Sequence, residues 1–426
     1  MKDKVKQLIK KELVLIISSI AAIITMFFVP PTSEYFNYID YRVLGLLFCL
    51  MAVIAGLQKN GIFLMLSETL LKGVTSTRKM CYILILLCFF SSMWITNDVA
   101  LITFVPFTIL ILHMADQTKY LIYCIVMETI GANLGSMLTP VGNPQNLYLY
   151  SFYKINGLEF IKITLPFVLF SLLLLIVIGL FVKNEAINIK TTKNDVLDKQ
   201  GIDDKRGIDN KYGINNMLRS DNKYGIDNKF RINDKSGLVD NNGTLDILNH
   251  EKTRKNQSTI IYIMLFLLCL GTVLRFIDYR LTLIIVVLGI LLVDRRILKK
   301  VDYSLLFTFV SFFVFVGNIE QIDTVRVFIA DMIKSREVIA SLILSQVISN
   351  VPAAVLLSNF TLDSRSLIIG TNVGGLGTII ASLASLISYK FYSRTEGAKP
   401  LTYLGIFTFL NIILLLLMIG FYLIIR

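Results

Sequence analysis

Gly131-Ala132-Asn133-Leu134-Gly135-Ser136-Met137-Leu138-Thr139 and Gly370-Thr371-Asn372-Val373-Gly374-Gly375-Leu376-Gly377-Thr378 share, without a gap, the spelling Gly-x-Asn-x-Gly-x-x-x-Thr. Beyond them, Pro140-Val141-Gly142-Asn143-Pro144 falls opposite Ile379-Ile380-Ala381-Ser382-Leu383. A second matched pair lies upstream. Ser91-Ser92-Met93-Trp94-Ile95-Thr96-Asn97-Asp98-Val99-Ala100 joins two apolar arms, and so does Ser345-Gln346-Val347-Ile348-Ser349-Asn350-Val351-Pro352-Ala353. Each carries a hydroxyl residue followed by Asn. Two matched cassettes in the same order mean an internal duplication.

The surroundings of these cassettes are apolar. Of 426 residues 55% are hydrophobic and 17% charged, against about 45–50% and about 25% in a soluble domain. Roughly 20 apolar residues carry a helix across the hydrocarbon core. Spans are expected at 13–29, 41–57, 61–71, 80–94, 99–114, 119–135 and 160–182, then at 259–274, 281–293, 303–317, 338–358, 366–392 (interrupted) and 401–425. The chain thus divides into a first transmembrane repeat, 1–182, a polar linker, 183–258, and a second transmembrane repeat, 259–426. From Gly201 the linker repeats with period six, as in Gly207-Ile208-Asp209-Asn210-Lys211-Tyr212 and Gly225-Ile226-Asp227-Asn228-Lys229-Phe230. A hexapeptide period can build a β-helix, but this stretch reads as a disordered tandem-repeat linker, too polar to fold alone.

Several function classes are excluded. The net charge of +12 does not mark a nucleic-acid binder, because 183–258 holds 15 Lys/Arg and 12 Asp/Glu and the rest decorates short loops and ends. Lys2, Lys4, Lys6, Lys10 and Lys11, with Arg295, Arg296, Lys299 and Lys300, place the N-terminus and the 294–300 loop in the cytoplasm by the positive-inside bias. No small-residue cleavage site follows the first apolar run, so it is read as a retained span. The five cysteines lie in apolar blocks without ligand spacing, and two histidines, His113 and His250, supply neither a metal site nor a catalytic triad. No Walker-type loop is present, which removes a single-chain ATP-driven pump. No nucleophile–base pair is visible, so an enzyme is not expected, and no cofactor or resident metal is implied.

Polar residues at membrane depth need a reason. Backbone groups in hydrocarbon must be hydrogen-bonded, so a broken helix survives only against protein or a water-filled cavity. A break frees carbonyls for a cation and leaves helix N-termini, with unpaired N–H groups and positive dipole ends, for an anion. A lone Gly or Pro in a membrane helix usually serves packing or a kink. Matched Asn, Gly and Thr in two halves go beyond packing, and paired interrupted helices mark the midplane site of a secondary transporter. The candidate substrate- and ion-binding residues are Thr96, Asn97, Asp98, Asn133, Gly135, Thr139, Pro140, Gly142, Asn143, Pro144, Asn146, Ser349, Asn350, Pro352, Asn372, Gly374, Thr378 and Ser382. Asp98 could ligate a cation, carry a proton or cap a half-helix. Glu128, inside the span before Asn133, could serve function or pair with a basic residue. Glu320 and Asp323 are expected at an interface.

The words Thr-Asn-Asp (96–98), Leu-Thr-Pro-Val-Gly-Asn-Pro-Gln-Asn (138–146), Ser-Asn-Val-Pro (349–352) and Asn-Val-Gly-Gly-Leu-Gly-Thr (372–378) resemble the ion-transporter superfamily. That group includes citrate and dicarboxylate–sodium symporters, arsenite permeases and NhaD-type sodium–proton antiporters. The resemblance covers both membrane halves and omits the linker. It implies an all-α polytopic membrane protein of two inverted-topology repeats, each with a hairpin and a broken helix. By position, Thr96-Asn97 with Gly142-Asn143 would build one half-site, and Ser349-Asn350 with Thr378 and Ala381-Ser382 the other. Members tend to be homodimers with an elevator-type motion. Dicarboxylate symporters favour Ser-Asn-Thr at both tips. Here the tips read Thr-Asn-Asp and Ser-Asn-Val, and Ala381-Ser382-Leu383-Ala384-Ser385 looks more like the arsenite-permease branch.

The expectation is therefore a multi-pass cell-membrane protein with a cytoplasmic N-terminus. It would move a small anion, a carboxylate or an inorganic oxyanion, driven by a sodium or proton gradient, with sodium as one candidate coupling ion. A sodium–proton antiporter with Asp98 as the exchanging carboxylate is the alternative, and a passive anion channel a further one. Its partners are the small-anion substrate, the lipid bilayer and a second copy of the chain, not nucleic acid.

Overall fold

The structure, a computed structural model, describes residues 13–187 and 243–426. The N-terminal lysines and the six-residue repeats lie outside the described residues. The first half runs α1 (Leu13–Met26), α2 (Tyr35–Tyr38), α3 (Tyr41–Lys59), α4 (Ile62–Leu71), α5 (Thr77–Ile95), α6 (Asn97–Met114), α7 (Leu121–Gly135), α8 (Pro144–Phe152) and α9 (Gly157–Gly179). The second runs α10 (Gly243–Val273), α11 (Tyr279–Asp294), α12 (Tyr303–Glu320), α13 (Asp323–Ile333), α14 (Glu337–Ile348), α15 (Asn350–Ser358), α16 (Ser364–Val373), α17 (Leu383–Tyr392) and α18 (Pro400–Ile425). Helix α10 begins at Gly243, within the stretch read as linker. The only pairing of extended backbone among the described residues is an isolated bridge, Ser76 to Ala186.

Among the described residues eight stretches are helical, long and apolar enough to cross a membrane, so this is an all-α polytopic membrane protein. The spans differ in what surrounds them. The window 118–138 is 83% buried, whereas that of α18 is 17% buried and that of α9 is 28% buried. The outer helices show Leu169, Leu173, Leu267, Leu292, Phe409 and Leu416 on the surface. Lipid tails accept such side chains, so these helices need no polar outer face.

Helix starts are written locally. Asp40 caps Val43, Asn156 caps Glu159, Asp302 caps Ser304 and Leu305, and Asp363 caps Ser366. Each side chain accepts from an N–H that the helix leaves unpaired. The two halves then interlock. Helices α5 and α6 pack along each other as a hairpin, as do α14 and α15. The hairpin's first arm lies on the following helix in both halves, α5 on α7 and α14 on α16. The second pieces cross over: α15 packs on α8 and α17 on α6. Likewise α12 packs on α1 and α11 on α3. The duplicated elements thus exchange partners and put all four breakpoints at one centre.

Candidate functional site

The hairpin tips are single residues. Thr96 has φ 64° and ψ 146°, and Ser349 has φ 75° and ψ 156°. This region is almost reserved for glycine and costs a non-glycine residue about 1–3 kcal/mol. Matched strain at matched positions persists because both tips are tied down. The Asn97 N–H donates to the Gly142 carbonyl and the Asn350 N–H to the Ala381 carbonyl, each at 3.0 Å. The Thr139 hydroxyl donates to the Met93 carbonyl, and the Thr378 hydroxyl to the Gln346 carbonyl at 3.2 Å. Each pair occupies corresponding positions, so each tip is bound to the unwound segment of its own half.

Contacts between the halves are exchanged in the same way. Asn133 Oδ1 accepts from Ser382 at 3.0 Å, and its amide nitrogen donates to Ser385 at 3.3 Å. Asn372 Oδ1 accepts from Asn143 at 3.1 Å, and its amide nitrogen donates to Asn146 at 2.6 Å. Ser382 and Ser385 stand opposite Asn143 and Asn146 in the duplication. The Asn97 amide also donates to Asn133 Oδ1, at 2.9 Å. One oxygen therefore joins the start of α6 to the start of α17. Asn97, Asn133, Asn143, Asn146, Ser349, Asn350, Asn372 and Ser382 are all buried.

Four helices begin at this centre: α6, α8, α15 and α17. Thr96 caps α6, and Asn143 caps α8 by accepting from the Asn146 N–H at 2.9 Å, with Pro144 in the first turn. Helix N-termini gathered in a low-dielectric interior make a region favourable to negative charge.

The glycines and prolines among the candidates shape the site. A Cβ on Gly135 would overlap the Phe89 carbonyl, one on Gly374 would meet Ser345 Oγ at 2.8 Å, and one on Gly142 would overlap the Ser136 carbonyl. Gly135 and Gly374 let α7 approach α5 and α16 approach α14. Pro352 sits in the first turn of α15, where its missing N–H costs nothing. Pro140 is buried in the unwound segment between the Ser136–Leu138 turn and α8.

A cavity of about 100 Å³ opens beside the first tip, lined by Thr96, Asp98, Asn143 and Pro144. Asp98 does not cap α6, since Thr96 accepts from the Val99 N–H. The second tip, Ser349-Asn350, does not line this cavity. Gln58, Lys300 and Asp302 complete the wall from α3 and the Arg295–Lys300 turn and cap. The sequence reading had placed none of these three at the site. They lie far from the cassettes in sequence, and only the packing of α3 and α12 brings them in.

Gln346 was also missed. Its amide nitrogen donates to the Gly374 carbonyl at 2.8 Å and the Leu376 carbonyl at 2.9 Å, and its oxygen accepts from the Thr378 N–H at 2.8 Å. An amide side chain in an apolar arm, three residues before the tip, was the available signal.

Paired hairpins and broken helices at the centre of an all-α membrane protein define a membrane transporter. The comparison with known families agrees: the model of the citrate transporter family, CitMHS, matches residues 6–364, and the chain belongs to that family. It is 30% identical over 358 residues to an uncharacterized transporter of Methanocaldococcus jannaschii, covering 84% of this chain and 82% of that one. It is 26% identical over 369 residues to the inner membrane protein YbiR of Escherichia coli, covering 85% and 83%. A 149-residue stretch is 30% identical to the silicon efflux transporter LSI3 of Oryza sativa subsp. japonica, covering 34% and 30%. The family is one of transporters, as are the Methanocaldococcus jannaschii and Oryza sativa relatives by name, and the chain is a transporter, not an enzyme.

Proposed function

We propose that the chain is a secondary active transporter of a small anion, a carboxylate or an inorganic oxyanion, across the cell membrane, coupled to a sodium or proton gradient. The observation that carries this reading is the gathering of four helix N-termini, those of α6 and α17 joined through Asn133 and that of α8 held by Asn372, with an open cavity beside the first tip. N–H groups and amide donors there suit an anion, with no guanidinium clamp needed. The family and the silicon efflux relative support a small oxygen-rich solute. The two halves would lie inverted in the bilayer, with the basic Arg295–Lys300 turn on the cytoplasmic side.

The test is uptake into proteoliposomes of citrate, succinate, sulfate and arsenite, with and without sodium and with an imposed pH gradient. Asn97→Ala and Asn350→Ala are each expected to abolish transport while leaving folded protein in the membrane. Wild-type uptake by either variant would reduce the cassettes to packing motifs. Sodium flux driven by acidification, with no anion requirement, would instead establish a sodium–proton antiporter. Flux that never exceeds the imposed electrochemical gradient would establish a channel.

A further inference from the structure

Glu128 lies on α7 five residues before Asn133 and is fully buried. Its Oε1 accepts a hydrogen bond from the Thr108 hydroxyl on α6, and its Oε2 has no hydrogen-bond partner. No basic residue among the described residues pairs with it. The titratable groups facing it are Cys81 and Cys88 on α5, Cys124 on its own helix and Tyr403 on α18. The Tyr403 hydroxyl is likewise buried, with the Thr129 side chain beside it. Helices α9, α16 and α17 also pack on α7 and set no interacting titratable group against Glu128. None of these groups is a basic side chain that could serve as its counter-ion.

A carboxylate taken out of water with no counter-ion is disfavoured by several kcal/mol, and such a group neutralises by binding a proton. We propose that Glu128 is a proton-binding site and that its proton is the coupling ion of the transport cycle. This rests on the secondary-transporter reading above. The step is the addition of H⁺ to the carboxylate and its later release, with no other bond made or broken. In the packed arrangement only the protonated acid is tolerated, so release requires α5, α6 or α18 to move and admit water. Glu128 stands about 7.5 Å along a rigid helix from Asn133, at 1.5 Å per residue. That helix ends in the segment Asn133 ties to the other half, so proton release and rearrangement of the substrate centre are linked.

The first experiment is infrared spectroscopy of the full chain in lipid, comparing wild type with Glu128→Gln. A carboxylic-acid carbonyl band at neutral pH that Glu128→Gln removes is expected, and its absence overturns the proposal. The second uses proteoliposomes with citrate and arsenite as probes and the membrane potential clamped at zero. For one coupled proton, wild type should accumulate a transported probe about tenfold per imposed pH unit. Glu128→Gln should retain probe exchange at zero gradient yet bring accumulation to about onefold. Accumulation at the wild-type level overturns the coupling role, as does loss of exchange and accumulation together. The infrared band needs no substrate. A failed Asn97→Ala or Asn350→Ala test would therefore sink the transport site without altering the band.

Discussion

The first half satisfies the carbonyls of its unwound segment from behind, and the second half from in front. In the first, the Asn146 amide nitrogen on α8 donates to the carbonyls of Ser136 at 3.3 Å, Met137 at 3.5 Å and Thr139 at 3.2 Å. In the second, the Gln346 amide nitrogen on α14 donates to the carbonyls of Gly374 and Leu376, and its oxygen accepts from the Thr378 N–H. The residue opposite Asn146 is Ser385, and the one opposite Gln346 is Met93. A buried carbonyl in hydrocarbon must find a donor, whichever helix supplies it. The duplication therefore preserves the backbone geometry at Thr96 and Ser349 while allowing the supporting amide to change element. The tips differ too: Asp98 lines a cavity, while Val351 occupies the same place in the second half.

The largest effect should come from breaking the two supports. Asn146→Ala and Gln346→Ala each leave at least two buried carbonyls unpaired, at about 1–3 kcal/mol per group. Thermal unfolding in lipid or detergent should show the loss in both. Adding Met93→Gln to Asn146→Ser would give the first half the second half's support and should recover part of it. No recovery would mean that the two amides do not share a role.

The packing contact should cost less and be unequal. Gly135→Ala drives a methyl group into the Phe89 backbone, whereas Gly374→Ala meets Ser345 Oγ and the Gly370 carbonyl at greater distance. Overpacking costs about 1–3 kcal/mol, and the Gly135 variant should lose more stability. Equal melting shifts would break that distinction.

Asp98→Val, which makes the first tip match the second, should have the smallest effect on stability. The Asp98 carboxylate accepts no hydrogen bond and forms no ion pair among the described residues, so the change should stay within about 0.5 kcal/mol. Transport by this variant reads Asp98 separately from folding. Unchanged flux would assign the carboxylate no part in the cavity.

Much of the centre was legible in the sequence because it is duplicated. The matched Asn, Gly and Thr located both unwound segments, and the hydroxyl-Asn pairs located both tips to the residue. The roles were less legible. Gly135 and Gly374 share a word with Asn133 and Asn372, yet they serve close approach of helices. A helix cap was one of three roles open to Asp98 in the sequence, beside cation ligand and proton carrier, and Thr96 takes the capping bond from the Val99 N–H instead. Gln58, Lys300 and Asp302 carry no motif at all.

The sequence by itself determined the membrane class, the duplication, the breakpoints and where most helices begin, because hydrophobic length and capping chemistry are local properties. Only the tertiary structure decided which half each polar group serves. Asn133 reaches Ser382 and Asn372 reaches Asn143 because the halves exchange partners. Gln346 supports the second unwound segment where Asn146 supports the first because a different helix passes each, with only the Met137 and Leu376 carbonyls served at corresponding positions. Spacing along the chain records neither fact, since both depend on which helices meet in space.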